Sequence, residues 1–215
     1  MGTEQLRVLA LYECSGALRD AFLRQGCDAY SCDLNPSTSD HPQDVERHYQ
    51  MDVFEFLSGG LDIETVPGSW DLIVAFPPCT YLAKVQQWMC NRSDARRAKQ
   101  QAAIETVRRL WALDCHRLAI ENPVGRLTKE WREPDQIIQP YYFGDPYQKQ
   151  TCLWFRGVPP LIFGPYSTGR RRMQNHTNGR MSQAQKSAIK SSWAYFPNTC
   201  NAIAYQWATY IENDQ

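Results

Sequence analysis

Two short stretches of this 215-residue chain carry side chains suited to chemistry on carbon, and they lie some forty residues apart. The first is Phe76-Pro77-Pro78-Cys79-Thr80. Two consecutive prolines make a stiff turn that holds the next side chain in one place, and that side chain is a cysteine. Its thiolate is the best carbon nucleophile among side chains near neutral pH. The second stretch is Glu121-Asn122-Pro123. A glutamate presented beside a cysteine suits a pyrimidine ring. The thiolate attacks carbon 6, while the carboxyl group, hydrogen-bonded at ring nitrogen 3, stabilises the charge the ring gains. Carbon 5 then becomes nucleophilic enough to take a methyl group from a sulfonium.

Such a pair must be delivered by neighbouring elements, and the hydrophobic pattern supplies them. Residues 6–12 form a short apolar run that reads as a buried strand, and residues 18–25 read as a helix stopped by Gly26. Strands follow at 29–33 and 49–53. The clearest strand, 70–76, ends abruptly at the two prolines, and 116–121 is another, stopped by Asn122-Pro123. A long helix spans 93–113, with Ser93 and Asp94 at its start and Ile104, Val107, Leu110 and Trp111 at helical spacing. Strand-like pieces recur at 136–143 and 151–158, and a last helix at 198–211. Alternating strands and helices indicate an α/β fold with a doubly wound, mainly parallel sheet.

Ligands of such sheets bind at the carboxyl ends of the strands. Besides the cysteine and glutamate turns, three more groups fall at such ends. Tyr12-Glu13-Cys14-Ser15-Gly16 is a small turn that lets the backbone approach a ligand closely. Asp33 ends the second strand, where an acid holds ribose hydroxyls or caps the next segment. Asp52 either accepts from an adenine amino group or caps the helix that follows it.

Composition limits the partners. Net charge is zero, but residues 1–70 carry twelve acids against four Lys/Arg, whereas residues 146–211 contain no acid and eight Lys/Arg. Arg170, Arg171 and Arg172, followed by Arg180, sit among Ser, Thr, Gln, Asn and Gly, and this distribution suits a surface facing phosphates. The organisation expected is a cofactor-binding and catalytic core over 1–145. The basic part, 146–215, is expected to pack on the same domain. The eight cysteines form no C-x-x-C pair and no metal cluster, so seven read as buried reduced thiols, with Cys79 the exception. No apolar run approaches the ~18 residues a membrane span requires, and the first residues lack a signal-peptide pattern. A cytoplasmic, metal-free protein, with a monomer favoured, is the expectation.

The segments VLALYECSG, CDLNP, MDV, DLIVAFPPCT, LAIENP and GDPYQKQTCLWF, in that order, resemble the successive motifs of DNA cytosine-5 methyltransferases. The likeness is greatest to the short versions often encoded by phages and prophages, which implies a bacterial host cell. It implies a Rossmann-like S-adenosylmethionine-dependent methyltransferase fold and a DNA base flipped out of the duplex. By position, Tyr12, Cys14 and Gly16 line the cofactor's amino-acid end, Asp33 meets its ribose and Asp52 its adenine, and Pro77 borders the same cradle. Cys79 is the nucleophile, Glu121 the ring-nitrogen partner, and Lys149 stands where the first of two family arginines belongs. Thr151 replaces the second, the cofactor turn holds Glu13 and Ser15 in place of further glycines, and only residues 170–180 are left for target recognition.

Three rival readings differ in chemistry. Amino-methyltransferases use a polar residue before the prolines and an aromatic one after them. Phe76 cannot accept an amino proton and Cys79 cannot stack on a base. Modification of a free nucleotide or another pyrimidine is compatible with the short recognition segment, and so is a non-catalytic nucleic-acid-binding relative.

Overall fold

The computed structural model describes residues 5–41, 44–59, 70–164, 171–172 and 196–214. Its strands are β1 (Arg7–Leu11), β2 (Asp28–Asp33), β3 (His48–Gln50), β4 (Leu72–Ala75), β5 (Leu118–Pro123), β6 (Gln136–Ile138), β7 (Tyr147–Gln148), β8 (Thr151–Arg156) and β9 (Arg171–Arg172). The helices are α1 (Ala17–Arg24), α2 (Asp44–Arg47), α3 (Val53–Leu57), α4 (Gln87–Cys90), α5 (Asp94–Trp111), α6 (Leu127–Glu130) and α7 (Pro197–Asn213). Seven strands form one sheet in the order β3-β2-β1-β4-β5-β8-β6. Neighbours from β3 to β5 run parallel, and β8 is antiparallel to both β5 and β6. This is a doubly wound, mainly parallel sheet, and it fits the Rossmann-like methyltransferase fold that the sequence motifs imply.

The period-two alternation of the central strands explains why helices cover both faces. Val8 and Ala10 of β1 point into one core and Leu9 and Leu11 into the other. On the first face, Leu18 and Phe22 of α1 pack with Ile203, Trp207 and Ile211 of α7. On the second, Ile104, Val107 and Leu110 of α5 pack with Phe56 of α3. The two buried indoles also satisfy their N–H groups: Trp207 donates to the Pro159 carbonyl at 3.0 Å and Trp154 to that of Arg132 at 3.0 Å. No helix among the described residues is long and apolar enough to cross a membrane.

Three boundaries differ from the sequence reading. The third strand stops at Gln50, and Asp52 is not at its end but serves as the N-cap of α3, accepting from the amides of Phe54 and Glu55. The 136–143 piece is strand only to Ile138, after which Pro140 starts a 3₁₀ turn over Pro140–Phe143. β5 runs through Asn122-Pro123, because β8 pairs with it out to that point and a proline at a strand's end leaves no ladder bond unmade. The cysteines divide as expected: seven are buried and Cys79 is exposed.

Trp207 is fully buried, whereas Tyr205, two residues earlier on the same helix, is 60% exposed. Trp207→Ala should therefore cost about 3–5 kcal/mol of stability, read as a lower urea midpoint. Tyr205→Ala should stay within roughly 0.5 kcal/mol of the parent.

Candidate active site

The turn after β1 is held open by backbone conformation. Tyr12 adopts φ 58°, the left-handed region that side chains seldom enter, and its amide donates to the Cys32 carbonyl at 2.7 Å. That bond ties the turn to the end of β2. Gly16, at φ 72°, has no alternative: a Cβ there would meet Ser39 Cβ at 2.5 Å and Arg19 Nη2 at 2.6 Å. The Cys14 carbonyl accepts from the Thr38 amide at 2.8 Å, which closes the cradle from the far side.

Two ionisable groups in this turn face opposite sides of the sheet. Burial holds the Tyr12 phenol well above its ordinary value, and the carboxylate of Asp52 adds to the effect. Asp33 acts in the same direction and Arg109 against it, so Tyr12, Asp33 and Asp52 share one corner. Asp33 Oδ1 accepts from the Asn35 amide at 2.7 Å and from Asn35 Nδ2 at 2.6 Å. Glu13 turns the other way, toward α1. It is wholly buried, and burial pushes its carboxyl up to about 7 against the opposing effects of Ser15 and Arg19. Ser15 Oγ donates to Glu13 Oε1, while Oε2 is buried with no hydrogen-bond partner.

The nucleophile's turn is built from the next two strands. Register pairs Ala75 of β4 with Ile120 of β5, so both chains leave the sheet side by side. Asn122 Nδ2 then donates to the Pro77 carbonyl at 2.9 Å. The Cys79 carbonyl accepts from the amides of Leu82 and Ala83, both at 3.0 Å. Beyond it, Lys84 donates to the Val124 carbonyl at 3.2 Å and Arg126 to that of Leu82 at 2.8 Å. Gly125 permits this approach, since a Cβ there would lie 2.1 Å from the Leu82 oxygen.

Glu121 is buried, and Lys149 Nζ stands 3.5 Å from its Oε1. Both groups act on Cys79. Desolvation raises the thiol above its ordinary value, Glu121 raises it further and Lys149 lowers it. The structure thus brings Cys79, Glu121 and Lys149 to one place. Thr151 is spent locally: its hydroxyl donates to the Lys149 carbonyl at 3.3 Å. Of the basic run, Arg171 and Arg172 form β9, whose backbone pairs in parallel with Tyr147 and Gln148, immediately before Lys149. Arg170 and Arg180 lie outside the described residues.

Four contributors escaped the sequence reading. Asn122 and Glu13 sit inside segments that were singled out and Gly125 lies just past one, but Asn122 and Gly125 act on the segment after β4 and Glu13 acts through its burial beside Ser15. The fourth is Asp145, 1% exposed, which accepts from the amides of Asn198 and Thr199 at 3.2 and 2.8 Å and from Thr199 Oγ1 at 2.6 Å. It caps α7 from fifty residues away and fixes Phe196, whose ring centroid is 5.6 Å from Lys149 Nζ. The signals for Asp145 are its place in the GDPYQKQTCLWF segment and its being the last acid before the long acid-free stretch.

No protein-family model matches the chain, and no curated protein does. Among solved structures, it is similar to the methyltransferase EhMeth of Entamoeba histolytica, at 15% identity over 85% of this chain and 62% of that one, TM-score 0.45. It is also similar to the Dnmt2 methyltransferase of S. pombe, at 16% identity over 77% and 52%, TM-score 0.41. A DNMT2 mutant of Spodoptera frugiperda gives 13% identity over 78% and 55%, TM-score 0.40. The chain thus spans 52–62% of the length of these structures.

The opposed influences on Cys79 give a directional test. Its alkylation by iodoacetamide should rise with pH along a curve whose midpoint lies above that of an ordinary cysteine. Glu121→Gln should move the midpoint down, and Lys149→Gln should move it further up. A midpoint indifferent to both variants means that the three groups are not neighbours.

Proposed function

We propose that the chain transfers a methyl group from S-adenosylmethionine to carbon 5 of cytosine in DNA, through a covalent adduct with Cys79. What supports this reading above all is the meeting of an exposed cysteine, a buried glutamate and a lysine at the adjoining ends of β4, β5 and β8. The thiolate bonds to carbon 6 of the ring. Glu121 holds nitrogen 3, and Lys149 keeps the glutamate in position. Electron density gathers at carbon 5, and that carbon takes the methyl group. Loss of the carbon-5 proton and departure of the thiolate then restore the aromatic ring. When bound, S-adenosylmethionine supplies the electrophilic methyl group on its sulfonium.

The residues at the strand ends fit that cofactor. Tyr12, Cys14 and Gly16 form a cradle with close backbone approach, Asp33 and Asp52 offer carboxylates at one corner, and Pro77 borders the nucleophile. Glu13 adds an observation that the motifs do not supply. Its buried carboxyl, with one oxygen lacking a donor, lies behind the cradle beside Ser15 and the Ala17 amide, so its charge would act through the turn on the ammonium at the cofactor's amino-acid end. The basic residues of 146–211, including Arg170, Arg171, Arg172 and Arg180, belong to the same reading as a surface for DNA phosphates.

Two experiments test it. DNA containing 5-fluorocytosine should trap the parent protein as a stable adduct in the presence of cofactor, because fluorine cannot leave carbon 5 as a proton does. Cys79→Ser should form no adduct and transfer no methyl group, and Glu121→Gln should be slower by roughly 10²–10⁴-fold. Methylation by Cys79→Ala at the parent rate would falsify the mechanism.

Cofactor binding is measured separately, by calorimetry with S-adenosylhomocysteine. Glu13 is neutral below about 7 and charged above it, so affinity should rise as pH passes through that value. Glu13→Gln should flatten the profile. Methylthioadenosine, which lacks the ammonium, should bind parent and variant alike. Identical pH profiles remove Glu13 from the site.

A further inference from the structure

The loop that carries Cys79 continues into a surface of unusual make-up. Residues 72–104 contain five Lys/Arg and a single acid, Asp94, which is paired with Arg97. Among the described residues, Lys84, Arg92, Arg96 and Lys99 take part in no ion pair. Two large apolar side chains stand out of this surface: Val85 is 59% exposed and Trp88 58%. They are three residues apart in the turn that ends in α4, so they face the same way.

Aromatic rings and cations alternate across it. The Arg92 guanidinium lies 5.1 Å from the Trp88 ring centroid. Arg96 and Lys99 lie 5.3 and 5.9 Å from the centroid of Tyr81. Arg96 is held in place by Gln86 Oε1 at 2.9 Å, and the Tyr81 carbonyl accepts from Gln100 Nε2 at 2.7 Å. The patch is also fixed to the nucleophile, because the amides of Leu82 and Ala83 both bond to the Cys79 carbonyl.

We propose that Tyr81, Trp88, Arg92, Arg96 and Lys99 form a platform for an unpaired nucleic-acid strand next to the target base. Trp88 stacks on a flanking base and the cations meet the phosphates. The charge favours a polyanion. The apolar part, two side chains, falls far short of the ~800 Å² per partner that a stable protein interface buries. A duplex keeps the faces of its bases stacked on one another, so only an unpaired strand offers a free face to an exposed indole. This rests on the reading that the pyrimidine belongs to a polymer. It adds that the polymer is engaged unpaired beside the reacting base.

The test uses the full chain and fluorescence anisotropy. One probe is a fluorescein-labelled cytosine-rich single strand of about a dozen nucleotides, within the range of common single-strand site sizes. The other is the same strand paired to its complement. Trp88→Ala should weaken single-strand binding about tenfold or more and leave duplex binding largely unchanged, whereas Trp88→Phe should retain most of the affinity. Joint replacement of Arg92 and Lys99 by Gln should flatten the salt dependence on the single strand by ~0.7 per lost phosphate contact.

Unchanged single-strand binding by Trp88→Ala overturns the platform, and so does an equal loss on both probes. Loss of self-association in that variant, with oligonucleotide binding intact, assigns the face to a second copy of the chain and also overturns it. If the parent binds neither probe, the polymer reading falls and the platform with it. If the parent binds and the variants match it, the platform alone falls.

Discussion

Asn122 holds the candidate site together. Its side-chain amide donates to the carbonyl of Pro77 at 2.9 Å. Two successive prolines offer no N–H, so after the Phe76 amide, which donates to the Leu11 carbonyl of β1 at 3.0 Å, the turn that carries Cys79 cannot anchor itself by donating to the sheet. It is held through its carbonyls instead: Pro77 by Asn122, Cys79 by the amides of Leu82 and Ala83, and Leu82 by Arg126. The first and last depend on β5 and the segment after it lying flush against the segment after β4, while the second closes a local turn. Gly125 makes that possible by leaving room for the Leu82 oxygen. The stiffness given by the prolines and the placement given by the neighbouring strand are thus separate contributions, supplied by different parts of the chain.

Around the thiol, charge is balanced and not simply activating. Glu121 and the surrounding protein hold Cys79 protonated, while Lys149 opposes them from the other side of the glutamate. A thiol kept above its ordinary value reacts slowly with oxidants, which attack the thiolate. An ammonium at Lys149 is a point charge on a flexible stem. It lacks the planar fork with which an arginine grips a carboxylate in two places. Its position is set by the strand that follows it and by the ring of Phe196, which Asp145 fixes through the start of α7.

Much of this was legible in the sequence because the signals are local. The run 70–76 followed by two prolines dictates a strand and its end, and the helix over 93–113 declares its cap at Ser93 and its apolar spacing. The sheet's direction followed from alternation alone. Asp52 was read as a strand end that holds adenine or caps the next helix, and two free amides of that five-residue helix claim its side chain. What was not legible depends on partners distant in the chain. The strand through Asn122-Pro123 looks terminated until β8 is known to pair with it. Asp145 and Glu13 lie inside segments with a recognisable pattern, but their importance arises from burial and from what they touch.

The position of α7 has a consequence for how the protein is made. Part of one face of the sheet, packed with Val8, Leu18 and Phe22 from early segments, is covered by α7, which follows every described strand in the chain. The order of the sheet adds to this, since β8 inserts between β5 and β6, both made before it. Until β8 and α7 are made, the nascent chain therefore carries the apolar surface that α7 covers and an unfilled place between β5 and β6. Contacts of such long sequence separation form slowly, and a chain in that state depends on chaperones or on dilution to avoid pairing with its neighbours. Synthesis of α7, more than the first folding events, is the point at which this core can close.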